Sequence, residues 1–304
     1  MGHWKEAWIN MYEYEILDVF TEKKFGGNPL AVFPAATEIP DSLYQSIARE
    51  INLSETVFVL PAEDSSANFR FRIFTPVREL DFAGHPVVGT ACALAARQSE
   101  NPYSFVAQLN VGLARMDVRM QHTVWEATFQ VPRMPEQGPP PPSPENLSRA
   151  LNLAEDEILR TGAYSCGAPI LFLELASRDA LSRAKLDLAL FQEFLQGYWA
   201  QEIMPFFREE YRIHARMFAP ALGIPEDPAT GGAAAALAGY LNDNAIEDEA
   251  KANRTLSWEI HQGHDMGRPS LIELEFSVEN REVKRIQLTG KSVPIARGSF
   301  LNLS

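Results

Sequence analysis

The sequence predicts an α+β protein made by internal duplication, with two similar domains in each of which a sheet surrounds a central, buried helix. Three observations predict this: a motif that occurs twice, two helical segments without a polar face, and a proline-rich break between them. The chain has 304 residues, 46% hydrophobic and 22% charged, which suffices for two domains that each bury a core.

The repeat is Arg72-Ile-Phe-Thr-Pro76, which returns as Arg216-Met-Phe-Ala-Pro220 at an offset of 144 residues. Downstream of each copy, His85-Pro86-Val-Val-Gly89-Thr-Ala91-Cys-Ala93 corresponds to Asp227-Pro228-Ala-Thr-Gly231-Gly-Ala233-Ala-Ala235. Two matches in one order and at nearly one offset indicate that a strand, a loop and a buried helix are duplicated. From Pro86 to Ala96 the residues are small or apolar on every side, the signature of a helix buried all round.

In the first half, Tyr14–Val19 and Leu30–Phe33 are short apolar runs joined by the turn-rich Phe25-Gly-Gly-Asn-Pro29, which predicts two strands. A helix is expected over Asp41–Glu50, with Asp41 as its N-cap and Leu43, Tyr44, Ile47 and Ile51 at helical spacing. Thr56–Leu60 is β-branched and apolar, so Asn52–Glu55 is expected to turn the chain from that helix into a strand. In Asn68–Phe74, Phe69, Phe71 and Ile73 alternate with Arg70 and Arg72, the period of a half-buried strand.

Further strands run to Val131. The stretch from Pro132 through Gly138-Pro-Pro-Pro-Pro-Ser-Pro144 lacks amide hydrogens for a ladder and favours extended backbone. The expected organisation is therefore a first domain over residues 12–132, a linker over 133–145, and a second domain over 146–304 whose last segment returns to the first. In the second domain, helices are expected at Asn146–Leu153 and Leu186–Leu195. Strands are expected near Ala168–Leu175, Ser257–His261, Ser270–Phe276 and Val283–Leu288.

Proline at the first helical position costs no hydrogen bond, so both copies place His85 and Asp227 as N-caps. Aspartate is a favoured cap, so a structural role alone would account for Asp227; histidine is a poor one, so His85 asks for another explanation, although a lone histidine is more often structural than catalytic. Two helix starts converging on one cleft would offer free N–H groups and positive dipole ends to a substrate carboxylate. Gly84, Gly231 and Gly232 would let the backbone approach it closely.

The formal charge of −13 argues against nucleic acid, whose binding draws on clustered Lys and Arg. No apolar stretch is long enough to cross a bilayer, and the first residues lack a signal-peptide core, so a cytoplasmic protein without a membrane partner is expected. Cys92 and Cys166, the two cysteines, have no disulfide or metal spacing and are expected to be small buried residues.

These segments resemble the PhzF-like phenazine-biosynthesis family, of the diaminopimelate epimerase-like fold. The resemblance rests on Asp18-Val-Phe-Thr21, Gly27-Asn-Pro-Leu-Ala-Val32, Asn52-Leu-Ser-Glu-Thr56, Glu79-Leu-Asp-Phe-Ala-Gly-His-Pro86, Glu226-Asp-Pro-Ala-Thr-Gly231 and Gln262-Gly-His-Asp-Met-Gly-Arg-Pro-Ser270, in family order. Residues 1–11 look like an extension. The resemblance implies two β-barrel-like domains around central helices, an active site between them, commonly a homodimer, and a cofactor-free isomerase. That isomerase would move a proton on a small anionic substrate, in the phenazine enzyme trans-2,3-dihydro-3-hydroxyanthranilate.

By the same resemblance Glu55 is the catalytic carboxylate, and His85 and Asp227 are its polar companions. Asn28 joins Gly84, Gly231 and Gly232 among the expected substrate-binding positions. A carboxylate desolvated at such a site would be shifted toward the range in which it takes up and returns a proton. The family pattern continues Asp-Pro-x-Thr-Gly-Ser where this chain has Gly232, which points to a different substrate.

Other readings are weaker. A thiol-pair epimerase would need a cysteine at each helix start, and neither has one. His261, His264 and Asp265 suggest a metal hydrolase but lack a third spaced ligand pair. Thr230-Gly-Gly lacks the lysine of a phosphate loop. The alternative from another class is a non-catalytic protein that binds or senses a small molecule with the same cleft, which the Gly232 change permits.

Overall fold

A computed structural model describes residues 11–245 and 252–301; the proposed extension, apart from Met11, lies outside them. The chain divides into two compact units, residues 1–129 with 291–304, and residues 130–290.

The first unit contains β1 (Tyr12–Val19), β2 (Asn28–Phe33), α1 (Tyr44–Ile51), β3 (Glu55–Pro61), β4 (Phe69–Phe74), the short β5 (Glu79–Leu80), α2 (Gly84–Ala95), β6 (Tyr103–Leu109), β7 (Gly112–Gln121) and β8 (Val124–Gln130). The second unit contains β9 (Glu136–Gln137), α3 (Pro144–Leu151), β10 (Ile158–Ser165), β11 (Pro169–Leu175), α4 (Arg178–Arg183), α5 (Leu188–Leu195), β12 (Glu202–Glu209), β13 (Arg212–Ala215), α6 (Gly231–Asp243), β14 (Arg254–Gln262) and β15 (Ser270–Glu279). The long β16 (Glu282–Phe300) follows. Its end pairs antiparallel with β1, from Tyr12 opposite Phe300 to Val19 opposite Ser292. This closes β1-β2-β3-β4-β6-β7-β8-β16 into an eight-stranded barrel.

The duplication is visible in strand direction. In the first unit, β2·β3 and β4·β6 are parallel while β1·β2, β3·β4, β6·β7 and β7·β8 are antiparallel. In the second, β11·β12 and β13·β14 are parallel while β10·β11, β12·β13, β14·β15 and β15·β16 are antiparallel. Parallel neighbours require a crossover, and α2 and α6 occupy the same crossover of the two halves.

Each central helix fits its sequence. Every residue of α2 is buried, and α6 is buried from Ala233 to Leu241. Gly89 of α2 lies so close to β1 and β2 that a Cβ there would stand 2.6 Å from Leu30 Cδ2 and Val19 Cγ2. Gly239 does the same in α6, against Pro135 Cβ and Tyr164 Cδ1 at 2.8 Å. The other helices cover satellite cores: α1 lies over Phe33, Phe58 and Phe74, with Tyr44 stacked on Phe58 at 4.2 Å, and α3, α4 and α5 enclose Leu147, Leu171, Phe191 and Ile203.

Several expectations are corrected. Asp41 begins a short 3-10 turn (Asp41–Leu43) and makes no cap bond; its carboxylate pairs with Arg72 at 3.0 Å. Glu55 is the first residue of β3, because Asn52 in the left-handed region (φ 54°) already ends α1 and turns the chain. Residues 133–145 belong to the second unit, and Glu136 and Gln137, which have amide hydrogens, pair with β10. Neither proline opens its helix: Pro86 is the third residue of α2, after Ala83 as N-cap, and Pro228 precedes the Thr230 N-cap of α6. First-turn amides lack intrahelical partners, so Pro86 costs α2 nothing there either. Cys92 and Cys166 are buried as expected, and burial pushes both thiols up to about 12. Among the described residues no helix is long and apolar enough to cross a membrane.

Candidate active site

In the first unit three of the expected residues come together. Gly27 turns the chain at φ +62°, where a Cβ would stand 2.2 Å from Val19 O, so only glycine passes this point without strain. The turn delivers Asn28 to the start of β2, where it is fully buried. Its Nδ2 lies 3.3 Å from His85 Nδ1. His85, in the first turn of α2, has its Nε2 3.1 Å from Glu55 Oε2, a close polar contact that falls short of hydrogen-bond geometry. Glu55 and His85 are 7% and 2% exposed, so water is nearly excluded from the pair.

The electrostatics of this cluster set the protonation of the ring. Burial lowers His85 from its ordinary 6.5 to about 3, so the imidazole is neutral near pH 7. With Asn28 Nδ2 donating to Nδ1, the single ring proton belongs on Nε2, facing Glu55. Gly84 is the buried residue beside it at the start of the helix.

Asp227, Gly231 and Gly232 form a separate cluster in the second unit. Asp227 is 7% exposed. Its N–H donates to Met217 O at 2.9 Å, and the Thr230 hydroxyl donates a short bond to Oδ2. Gln262, the fully buried last residue of β14, clamps this turn: Nε2 donates to Asp227 O at 2.7 Å and to Thr230 Oγ1 at 3.1 Å, while Oε1 accepts from Thr230 N at 3.2 Å. The next residue, Gly263, has φ +75° and lies against Pro228 O. Gly231 is buried; Gly232 is partly exposed, and a Cβ added to it would meet no atom within 4 Å.

Sequence reasoning quotes Gln262 within a motif but assigns it no role, since its bonds reach residues about thirty-five positions earlier in the chain. The available signal is a polar residue that ends a strand just before a glycine turn. His214 is also absent from the sequence reading; the structure sets it beside His261 on adjacent strands. Among the described residues, no group of three or more His, Cys, Asp and Glu side chains could hold a metal ion, which leaves the hydrolase reading of His261, His264 and Asp265 without support.

Comparison with known proteins agrees with this architecture. Residues 17–298 match the PhzC-PhzF family, described as phenazine biosynthesis-like protein. An uncharacterized isomerase of Mesorhizobium japonicum is 37% identical over 299 residues, covering 94% of this chain and 98% of the relative. Trans-2,3-dihydro-3-hydroxyanthranilate isomerase of Pseudomonas fluorescens is 34% identical over 293 residues, covering 96% and 100%. The crystal structure of the Bacillus anthracis phenazine biosynthesis protein of the PhzF family has the same fold, with a TM-score of 0.83 at 23% identity over 97% of this chain and 100% of that one.

Proposed function

Because this chain belongs to the PhzC-PhzF family of phenazine biosynthesis-like proteins and is an isomerase, we propose that it moves a proton on a small, carboxylate-bearing cyclic metabolite without a cofactor, with Glu55 as the proton carrier. The observation that carries this reading is the buried Glu55 carboxylate 3.1 Å from the Nε2 of His85. With water nearly excluded, a carboxylate shielded in this way can accept a proton from a substrate carbon and return it to a neighbouring position on the same face. One base suffices for such a suprafacial shift. The electron pair of the broken C–H bond moves through the substrate's double bond, so the product is an isomer and nothing else is consumed.

His85 serves as a neutral partner in this scheme. Its Nε2 proton faces the Glu55 carboxylate, and Asn28 fixes the ring by occupying Nδ1. Asp227 is assigned to hold polar substituents of the substrate, with Gly84, Gly231 and Gly232 offering backbone to it. The substrate class follows trans-2,3-dihydro-3-hydroxyanthranilate in being a small cyclic acid; Gly232, which presents no side chain at the second position of α6, supports a substrate of different shape.

The test is exchange of carbon-bound hydrogen in deuterated solvent, screened over small cyclic acids. Turnover should incorporate one solvent deuteron, and Glu55→Gln should lower the exchange rate by roughly 10²–10⁴-fold, the usual worth of a positioned acid/base group. A ligand that binds without exchange, with affinity unchanged in Glu55→Gln, would instead establish a binding protein.

A further inference from the structure

A polar cavity lies within the unit formed by residues 130–290, and its lining includes none of the residues assigned to proton transfer. It measures about 230 Å3, and its polar lining consists of Arg178, Ser182, His214, His261, His264 and Asp265. At roughly 30 Å3 per water it has room for about seven waters, or for one small ion with part of its hydration.

Three imidazoles converge here because of strand register. His214 on β13 is the parallel partner of His261 on β14, and their rings stack at 5.4 Å and 28°. His264, in the turn after β14, adds a third ring 5.9 Å from His261. Arg178, at the first position of α4, completes the lining, and among the described residues it makes no ion pair.

The sign of the local potential follows from what acts on the rings. His214 is held below its ordinary range by burial first and then by the Arg178 charge, ahead of the opposing Glu209. His264 is lowered by burial, then by His261 and Arg178, with Asp265 opposing last. The nearby carboxylates are engaged: Glu209 with His214 at 3.3 Å, Glu259 with Arg212 at 3.0 Å and with His261 at 3.4 Å, and Asp265 with the Ser182 hydroxyl at 2.9 Å. The Arg178 guanidinium and the three imidazoles thus face a cavity in which the Arg178 charge weighs on His214 and His264 more than the carboxylate charges nearby do.

We propose that this cavity is a binding site for a small oxyanion, held by Arg178 and the His214–His261–His264 cluster and taken up together with protons. An anion among the rings stabilises their charged forms, so binding raises their proton affinity. By linkage, affinity then rises as pH falls.

Sulfate is the probe, since it remains a dianion across the range tested. The full chain is titrated with sodium sulfate at constant ionic strength at pH 8 and pH 6, following histidine ring resonances and heat in buffers of different ionisation enthalpy. Three ring signals should move together, protons should be taken up, and binding should be several-fold tighter at pH 6. Arg178→Gln should weaken it by about tenfold or more, the worth of a charge-assisted hydrogen bond, and His264→Gln should reduce the proton uptake. The proposal is overturned if sulfate leaves the ring signals unmoved, if Arg178→Gln binds sulfate as the parent does, or if Zn²⁺ moves those signals at stoichiometric amounts while sulfate does not.

Discussion

The two copies of the repeat agree up to the helix start and diverge there. In both, an arginine two residues before a phenylalanine lays its guanidinium over that ring: Arg72 over Phe74 at 5.2 Å, Arg216 over Phe218 at 5.0 Å. Both arginines then clasp a glutamate farther along the loop with two bonds of 2.8 Å, Arg72 to Glu79 and Arg216 to Glu226. This shared clasp fixes the loop that leads into the central helix. Beyond it, the first copy places His85 inside the first turn of α2, beside Glu55, whereas the second leaves Asp227 ahead of α6 in a turn clamped by Gln262. The scaffold repeats because it packs a buried helix against a sheet; the proposed function gives the two ends different tasks, proton transfer in one copy and positioning in the other.

The histidine is where this difference is tested most strongly. An unfolded chain protonates His85 below about 6.5, while the folded protein keeps it neutral until about 3. The unfolded state therefore binds more protons throughout this window, and stability falls as pH falls through it. Between pH 7.5 and 5.5 the contribution is about 1–1.5 kcal/mol, and it grows toward a few kcal/mol at lower pH. Urea unfolding of parent and His85→Gln at pH 7.5, 6.5 and 5.5 should show that the variant lacks this part of the pH slope. Parallel slopes would mean that the ring takes up protons in the folded protein over the same pH range as in the unfolded chain, and its being held neutral by burial would be lost.

The clasp itself should be unequal between the copies. Arg216 also donates to the carbonyls of Leu181, Ser182 and Ala184, and its side chain and that of Glu226 are 13% and 17% exposed. Arg72 shares its charge with the exposed Asp41, and Glu79 is more open at 28%. Arg216→Met should cost about 3 kcal/mol and Arg72→Met about 1–2 kcal/mol, because the former leaves a largely buried carboxylate and the part-buried carbonyls of Leu181 and Ala184 without their donor. Equal losses in chemical denaturation would show that the ring contact, common to both, is the main contribution.

Much of this was legible in the sequence for a physical reason: central helices must be apolar all round, so Pro86–Ala96 and its copy stand out without any alignment. The alternation of Phe69, Phe71 and Ile73 likewise fixed a strand. What was not legible depends on distant pairing. The strands β10, β12 and β13 of the second half have mixed polarity, and the 19-residue length of β16 follows from its ladders with β1 and β15, which no local pattern encodes. The helix caps failed for a related reason, since Gln262 in the second copy supplies from another strand what a cap would supply locally. Glu55 looked like a turn residue on composition, and only the motif around it anticipated a buried carboxylate.

Glycine offers the finest comparison of the two helices. Gly89, midway along α2, and Gly232, the second residue of α6, lie in opposite surroundings. A methyl at Gly89 collides with Leu30 and Val19 at 2.6 Å, both in a packed core, so Gly89→Ala should cost about 1–3 kcal/mol through overpacking. A side chain at Gly232 meets no atom within 4 Å. There serine removes some chain entropy from the unfolded state without a clash, so Gly232→Ser should leave stability unchanged or raise it by about 0.5 kcal/mol. A structurally silent substitution then becomes a clean probe of specificity. If Gly232 admits a substrate of different shape, Gly232→Ser should raise KM for that substrate more than it lowers kcat, with thermal midpoint preserved. Unchanged kinetics would show that the second helix start does not touch the substrate at this position, and the division of tasks between the copies would rest on Asp227 alone.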